Sequence, residues 1–365
     1  MKSNYNQLGQ YIEMVSRTNS DLKYGIEDVR GCSNTKQMMQ TRANLIGRTY
    51  EKFIVLRPQE FVFNRRTTRN GEKIGMAYNN TDREYIFTND YVAFRVKQEY
   101  LDKLLPDYLY MFFCRDEFDR YARYKSTGSA TEFFNWEDMC AVPFEIPPMD
   151  FQQLVVNAYK VLNERIETKQ KINDNLEATA QAVLQDKINS NGIETTVDNL
   201  IDLFDSMRKP MSSLDRSGME RLYPYYGAAS LMDYVDDYIF DGIYGLLGED
   251  GTVMNENGYP TMQYVWGKFW VNNHAHIFQG KSGYSTELVY LILKNTVVRN
   301  AVTGAVQLKI NQENLRNLPV VVPCDDDLTE LNALVDKIFL SIRENRAEIE
   351  RLENLKDILL AKLSD

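Results

Sequence analysis

Histidine is almost absent from this 365-residue chain: there are two, His274 and His276. The four cysteines, Cys32, Cys114, Cys140 and Cys324, are scattered and form no C-x-x-C. With no cysteine near the histidine pair, a structural zinc site is not expected, and neither is a disulfide framework. A reduced, cytoplasmic protein is the simplest expectation. No apolar run approaches the length of a membrane span; "LVYLILK" is far too short. The opening "MKSNYNQLGQYIEMV" lacks the apolar core of a signal peptide.

Net positive charge is also missing: the chain carries −10. Alone, that argues against a nucleic-acid binder. The distribution says more than the sum. Residues 1–150 hold 21 Lys+Arg against 21 Asp+Glu, residues 191–323 hold 10 against 15, and residues 324–365 hold 6 against 11. The first segment is therefore neutral, and it contains a dense basic cluster, "NRRTTRNGEK". Local patches, not bulk charge, must decide the partner.

Glycine and proline vanish from two long stretches, one after Pro147-Pro148 and one after Pro323. Both are rich in helix formers, and Asp150 and Asp325 to Asp327 place negative charge at their starts. Apolar positions recur at alternating intervals of four and three. The first stretch reads Leu162, Ile166, Lys169, Asn173, Leu176, Ala180, Val183. The second reads Ile338, Ile342, Asn345, Ile349, Leu352, Lys356, Leu359, Leu363. That is a coiled-coil seam with polar interruptions, which cost stability but fix register. Each helix would run about 55–60 Å at 1.5 Å per residue.

The two stretches are copies. "TGSATEFFNWEDMCAVPFEIP" (127–147) and "TGAVQLKINQENLRNLPVVVP" (303–323) align without a gap at an offset of 176, which continues into the helices. Between helices lie mixed segments. Strand-like runs ("KFIVL", "EFVFN", "EYIFT", "YVAFRV", "MQYVWGKFWVNN", "HAHIF") alternate with helical ones ("LPDYLYMFFCRDEFDRYARY", "STELVYLILKNTVVRNAV"). The period is too long for a solenoid. The organisation is a duplicated domain-plus-helix unit.

At this level the chain resembles the specificity subunits of type I DNA restriction–modification systems. The likeness is carried by "LYPYYGAASLMDYVDDYIFDGIYGLLGEDG", "YPTMQYVWGKFWVNNHAHIF" and "VTGAVQLKINQENLRNLPVVVP", and more loosely by "STGSATEFFNWEDMCAVPFEIPP". It implies an α+β fold. Two mixed α/β target-recognition domains (1–149 and 191–323) are each followed by a long spacer helix (150–190 and 324–365). The helices pair as an antiparallel coiled coil with pseudo-twofold internal duplication. Each domain would read one half of a bipartite double-stranded DNA target. Two methyltransferase subunits would dock, with restriction subunits able to join. Catalysis and S-adenosylmethionine would belong to the partners. Consistent with that, the chain shows no Asn/Asp-Pro-Pro-Tyr/Phe, no glycine-rich S-adenosylmethionine loop and no Walker loop.

Candidate contacts follow. Arg65, Arg66, Arg69 and Lys73 crowd one turn-like stretch with Thr67, Thr68 and Asn70. They either meet phosphates and bases or form a solvated hairpin tip. "RGCSNTKQMMQTRANL", with Lys36 and Arg42, is a second polar stretch of the same kind. Thr127 and Ser129, and Thr303 in the repeat, flank glycines whose backbone either approaches a phosphate or simply turns the chain. Asn135/Asn311 and Glu137/Glu313 look like turn and cap residues. Tyr225 and Tyr226 either reach a base or pack. Lys209, Lys268 and Lys281 are the sparse cations of the acidic second domain. His274 and His276 are expected in packing or a polar network rather than on a metal. The rival readings are a nuclease, for which no ordered carboxylate cluster with a lysine is visible, and a coiled-coil adaptor without DNA specificity, which the net acidity would suit.

Overall fold

The computed structural model describes residues 6–41, 45, 47–67, 73–128, 132–304 and 307–364. The chain divides into two compact units, Met1–Glu167 with Glu350–Asp365, and Thr168–Ile349. The long helices are thus not separate bodies. Helix α1 (Met149–Asn191) and helix α2 (Asp325–Ala361) each contribute a part to both units.

The first unit is built on a four-stranded antiparallel sheet, in the order Ile12–Val15, Tyr91–Val96, Phe61–Asn64, Met76–Tyr78. Side chains alternate across a strand, and here both faces are buried. Phe61, Phe63, Met76, Tyr78, Phe94 and Val96 face helices Pro106–Phe113 and Asp116–Lys125. Their neighbours Val62, Ala77 and Ala93 face a second apolar layer with Leu56, Tyr85 and Phe87. Phe61 stacks on Phe94 at 5.0 Å, and Phe113 meets Phe94 edge-on at 5.8 Å. Burying each such ring contributes about 1.5–3 kcal/mol. A small hairpin, Arg30–Cys32 with Met38–Gln40, belongs to the second layer through Cys32 and Met38.

The second unit carries a six-stranded sheet, in the order Ile201–Leu203, Ala275–Gly280, Phe240–Gly248, Met262–Val271, Tyr223–Tyr226, Leu231–Val235. All neighbours are antiparallel except Tyr223–Tyr226 against Met262–Val271. Gly245 lies opposite Phe278, and a Cβ there would sit 2.0 Å from the Phe278 ring, so only glycine fits beneath it. Helix Thr286–Lys294 buries Leu288 to Leu293 against this sheet.

Within each unit the two long helices run antiparallel. In the second unit Lys187 pairs with Asp327 at 2.6 Å, and Lys169 bonds Asn345 at 2.8 Å. In the first unit Lys356 donates to Asn163 at 3.3 Å. As numbers rise on one helix they fall on the other. The expected seam is the covered face: Ile166, Asn173, Ala180, Ile342 and Leu352 are buried, and the remaining seam positions are partly covered. Its polar interruptions meet one another. Asn345 donates to Asn173 at 2.8 Å, and Lys169 pairs with Glu348 at 2.9 Å. Lys169 and Asn345 are themselves 176 apart, so the helix pair contacts its own duplicate at this layer.

Each helix is also fastened to its domain. Gln152 on α1, fully buried, binds Leu105 N–H at 2.9 Å and the carbonyls of Lys103 and Pro147 at 2.7 and 2.8 Å. Asn332 on α2 binds Ser285 N–H at 3.0 Å and the Gly283 carbonyl at 2.6 Å. Arg343 reaches the buried carboxylate of Glu287 at 2.8 Å, which also accepts from the Tyr264 hydroxyl at 2.9 Å. Among the described residues no helix is long and apolar enough to cross a membrane.

Breaking the last fastening leaves a guanidinium without its buried partner, a loss of about 3–5 kcal/mol. Glu287→Ala is expected to lower the urea midpoint of the second unit by that measure, followed through Trp266 and Trp270 fluorescence. Glu287→Gln, which keeps an acceptor, should recover part of it.

Candidate nucleic-acid interface

The duplicated phrase folds the same way twice. Thr127 and Phe133 exchange backbone bonds of 3.2 and 3.0 Å, and Thr303 and Lys309 exchange two of 2.8 Å. Both turns open on a glycine with positive φ, +150° at Gly128 and +90° at Gly304. At Gly304 a Cβ would lie 2.2 Å from the Gln307 carbonyl oxygen, so the turn excludes any side chain. One-turn helices follow, Trp136–Cys140 and Gln312–Arg316. Both asparagines stand at the N-cap: Asn311 Oδ1 accepts Asn314 N–H at 2.7 Å, whereas Asn135 donates its backbone N–H to Asp138 at 3.1 Å. Glu137 and Glu313 stand in the first turns of these helices. Each copy is then bonded to the start of its domain: Leu8 N–H to the Val142 carbonyl at 2.9 Å, Val197 N–H to the Leu318 carbonyl at 3.0 Å.

In the first unit the basic stretch leaves strand Phe61–Asn64 beside this turn. The Arg65 carbonyl accepts Phe134 N–H at 2.9 Å, and Thr67 N–H donates to the Glu132 carbonyl at 3.0 Å. Arg65, Arg66 and Lys73 are exposed; Arg66 lies 3.4 Å from Asp90 and Lys73 3.7 Å from Asp116. Thr127 is exposed on the adjacent turn. Arg42, Thr68, Arg69, Asn70 and Ser129 fall outside the described residues. The structure therefore brings the basic stretch and the Thr127 turn together. It adds residues the sequence reading passed over. Arg123, Tyr124 and Lys125 end helix Asp116–Lys125, one residue short of Thr127, with Tyr124 82 % exposed. Their signal was the helix's own charge order, acids in its first turn and bases in its last.

Three expected contacts are corrected. Lys36 is 3 % exposed, its ammonium paired with Asp119 and donating to the Ile74 carbonyl at 2.8 Å, so it is an internal tie and not a phosphate ligand. Burial pulls its pKa down, and Asp119 opposes that shift. Thr67 is buried and donates to the Glu132 carbonyl at 3.2 Å. Tyr225 is buried, its hydroxyl accepting Met211 N–H at 3.2 Å. Of the two alternatives for that tyrosine, packing holds.

In the second unit Lys209 and Lys268 are exposed, and Lys281 is half-buried 3.7 Å from Asp202. Lys268 lies 4.4 Å over the Tyr238 ring, which meets Tyr223 at 5.1 Å. Arg221 covers Tyr234 at 5.5 Å. Tyr226 is half-buried with its ring against Phe269 at 5.9 Å. Thr303 is exposed, and its hydroxyl donates to the Lys309 carbonyl at 3.1 Å. Of these cations, Lys268 and Arg221 sit on tyrosine faces, which favour a cation over the ring.

The two histidines join a polar network. His274 Nδ1 lies 2.6 Å from Asp250. His276, fully buried, contacts Asp205 through Nδ1 at 2.5 Å and the Ile310 carbonyl through Nε2 at 2.8 Å. The ring thus bridges the Asp205 carboxylate and the Ile310 carbonyl. Asp205, Glu249 and His276 present ligand atoms within 4.8 Å of one another, a convergence their sequence spacing hid. The charge is already neutralised, however. Glu249 pairs with Arg208 at 2.6 Å and Lys309 at 3.2 Å, while Asp205 accepts from Ile277 N–H at 2.9 Å and Gln312 at 2.7 Å. This donor set suits an ion-pair lock more than a cation. Through Ile310 and Gln312 it fastens the repeated phrase to the second domain.

The architecture is that of a two-domain scaffold with a long helix after each domain. The S subunit of the type I restriction–modification system from M. genitalium, a crystal structure, shares this fold. It matches 100 % of this chain and 97 % of its own with a TM-score of 0.53 at 14 % identity. The family model for the type I restriction modification DNA specificity domain matches twice, over residues 33–178 and 194–353, and the chain belongs to that family. A putative type I restriction enzyme specificity subunit of Haemophilus influenzae is 33 % identical over 143 residues, 39 % of this chain. That match spans just over a third (36 %) of the relative's length.

Burial on its own pushes the Asp205 carboxyl up. The His276 hydrogen bond and charge, the Ile277 N–H and Arg208 outweigh it and hold the carboxyl below the usual range. A carboxyl lowered by folding stabilises above its unfolded value, about 3.9, and that stabilisation fades as pH falls through the lowered value. Asp205→Asn should therefore destabilise the second unit by roughly 1–3 kcal/mol at pH 7. The gap to the parent protein should narrow below about pH 4. Urea unfolding at the two pH values measures it.

Proposed function

We propose that the chain is the non-catalytic recognition subunit of a type I restriction–modification complex, with each domain reading one half of a bipartite DNA target. The observation that carries this reading is the duplication itself. Two matches to a DNA specificity domain are each closed by the same glycine turn and each run into a long helix. A two-part site calls for two readers in one chain, because protein pseudo-symmetry then mirrors site symmetry.

In this reading the helices set the gap between half-sites and dock two methyltransferase subunits. Exposed apolar side chains on the long helices, including Leu154, Val161, Leu340 and Leu355, suit such docking. Catalysis and S-adenosylmethionine lie with those partners, restriction subunits complete the assembly, and the complex works in the cytoplasm. The −10 net charge implies that the isolated chain binds duplexes weakly and that the partners supply much of the phosphate contact.

Selection from a random duplex pool tests the proposal, using the chain with its methyltransferase partner. The expected yield is two short motifs at one constant gap; a single contiguous motif, or no enrichment, contradicts it. On the selected target, Arg65→Ala with Arg66→Ala should flatten the log K against log salt slope by about one to two units if both meet phosphates. An unchanged slope would show the stretch to be a solvated hairpin.

A further inference from the structure

The buried Lys36–Asp119 pair stands where three chain segments converge. Lys36 lies in the Ser33–Gln37 turn of the small hairpin. Its backbone adopts φ +62°, its N–H donates to the Ser33 carbonyl at 3.2 Å, and its own carbonyl accepts from Tyr110 at 3.2 Å. Its ammonium donates to the Ile74 carbonyl at 2.8 Å. Asp119 Oδ1 accepts both that ammonium and Ile74 N–H, the latter at 3.0 Å. Ile74, next to Lys73, is where the basic stretch returns to its sheet, and it is itself buried. Asp119 lies on helix Asp116–Lys125, whose end delivers Arg123, Lys125 and Thr127. Lys36, Asp119 and Ile74 are each 5 % exposed or less, so the pair is shielded from salt and from solvent competition.

An apolar cluster would hold these segments at lower desolvation cost, since well-packed hydrophobic residues often replace a buried ion pair without loss of stability. A charged, hydrogen-bonded pair does something an apolar cluster cannot: it fixes direction as well as distance. We propose that Lys36–Asp119 is the positioning element of the first DNA-reading surface. It holds the Ser33–Gln37 turn, the base of the Arg65–Lys73 stretch and the helix leading to Thr127 in one arrangement, and so sets which bases the first half-site must contain. This rests on the DNA-reading function proposed above.

The test uses the chain in complex with its methyltransferase partner and a set of duplexes carrying each single-base change in either half of the selected motif. Lys36→Met with Asp119→Leu removes the pair while keeping the site filled. It also leaves the buried Ile74 N–H and carbonyl unpaired, so it should fold with a lowered urea midpoint, and lose about tenfold or more in discrimination at the first half-site, with the second half-site unchanged. Lys36→Arg keeps the charge pair but cannot place one donor on Asp119 and the Ile74 carbonyl in the same geometry. It should fold and lose severalfold at the first half-site alone, which keeps the test decisive if the double variant does not fold. Parental discrimination at the first half-site in either folded variant would overturn the proposal, as would equal losses at both half-sites. Failure of the parent complex to select any two-part motif would instead overturn the DNA-reading function.

Discussion

The turn that closes each domain is the constraint on which the rest depends. It occurs twice, with glycine at positive φ where a side chain would strike the backbone at Gly304. In the first unit the turn is bonded to the stretch that carries exposed cations, Arg65 and Thr67 bonding directly to Phe134 and Glu132; in the second it is bonded to Glu249 and Gly251. On the other side it leads through a capped helical turn and a proline into α1 or α2. A change in this turn would therefore move the surface beside it and the start of a long helix together.

Electrostatics reconcile an acidic chain with the polyanionic target proposed for it. Much of the charge inside the units is already paired. Asp119 holds Lys36, Asp205 and Glu249 hold His276 and Arg208, and Glu287 holds Arg343. Exposed cations are spread over both units; Arg65, Arg66 and Arg123 are among those near the first turn, and in the second unit Arg221 and Lys268 lie on tyrosine faces. Net charge adds paired and unpaired groups alike, so it reports poorly on what a ligand would meet. The buried pairs add little stability relative to apolar packing. Each joins segments far apart in the chain, as Lys36 joins Asp119 and Asp205 joins His276.

Much of the fold was legible in the sequence. The seam from Leu162 to Val183 and from Ile338 to Leu363 is the covered face of the long helices, because a repeat of four and three can be satisfied only by burying one stripe. The runs at Phe61–Asn64, Tyr85–Phe87, Tyr91–Val96, Met262–Val271 and Ala275–Gly280 are strands as their aromatic and β-branched content implied. The hairpin Arg30–Cys32 and Met38–Gln40 was not legible. Its strands are three residues long, partly covered and largely polar or flexible in side chain, so neither periodicity nor propensity marks them. The candidate site divided along the same line. Exposed cations in a turn, such as Arg65, could be found from composition. Lys36 could not be told apart from them, because its burial depends on Asp119, 83 residues away. Asp205 and Glu249 were hidden for the same reason, since their partner His276 follows 71 residues after Asp205.

The central claim is that one chain specifies a two-part DNA sequence. The most direct test is to map methylated adenines across the genome of cells with and without this gene, all other genes intact. The account predicts a motif of two constant parts separated by a fixed number of unspecified bases, present with the gene and absent without it. An identical methylation pattern in both strains, or a gene-dependent motif that is contiguous, would contradict it.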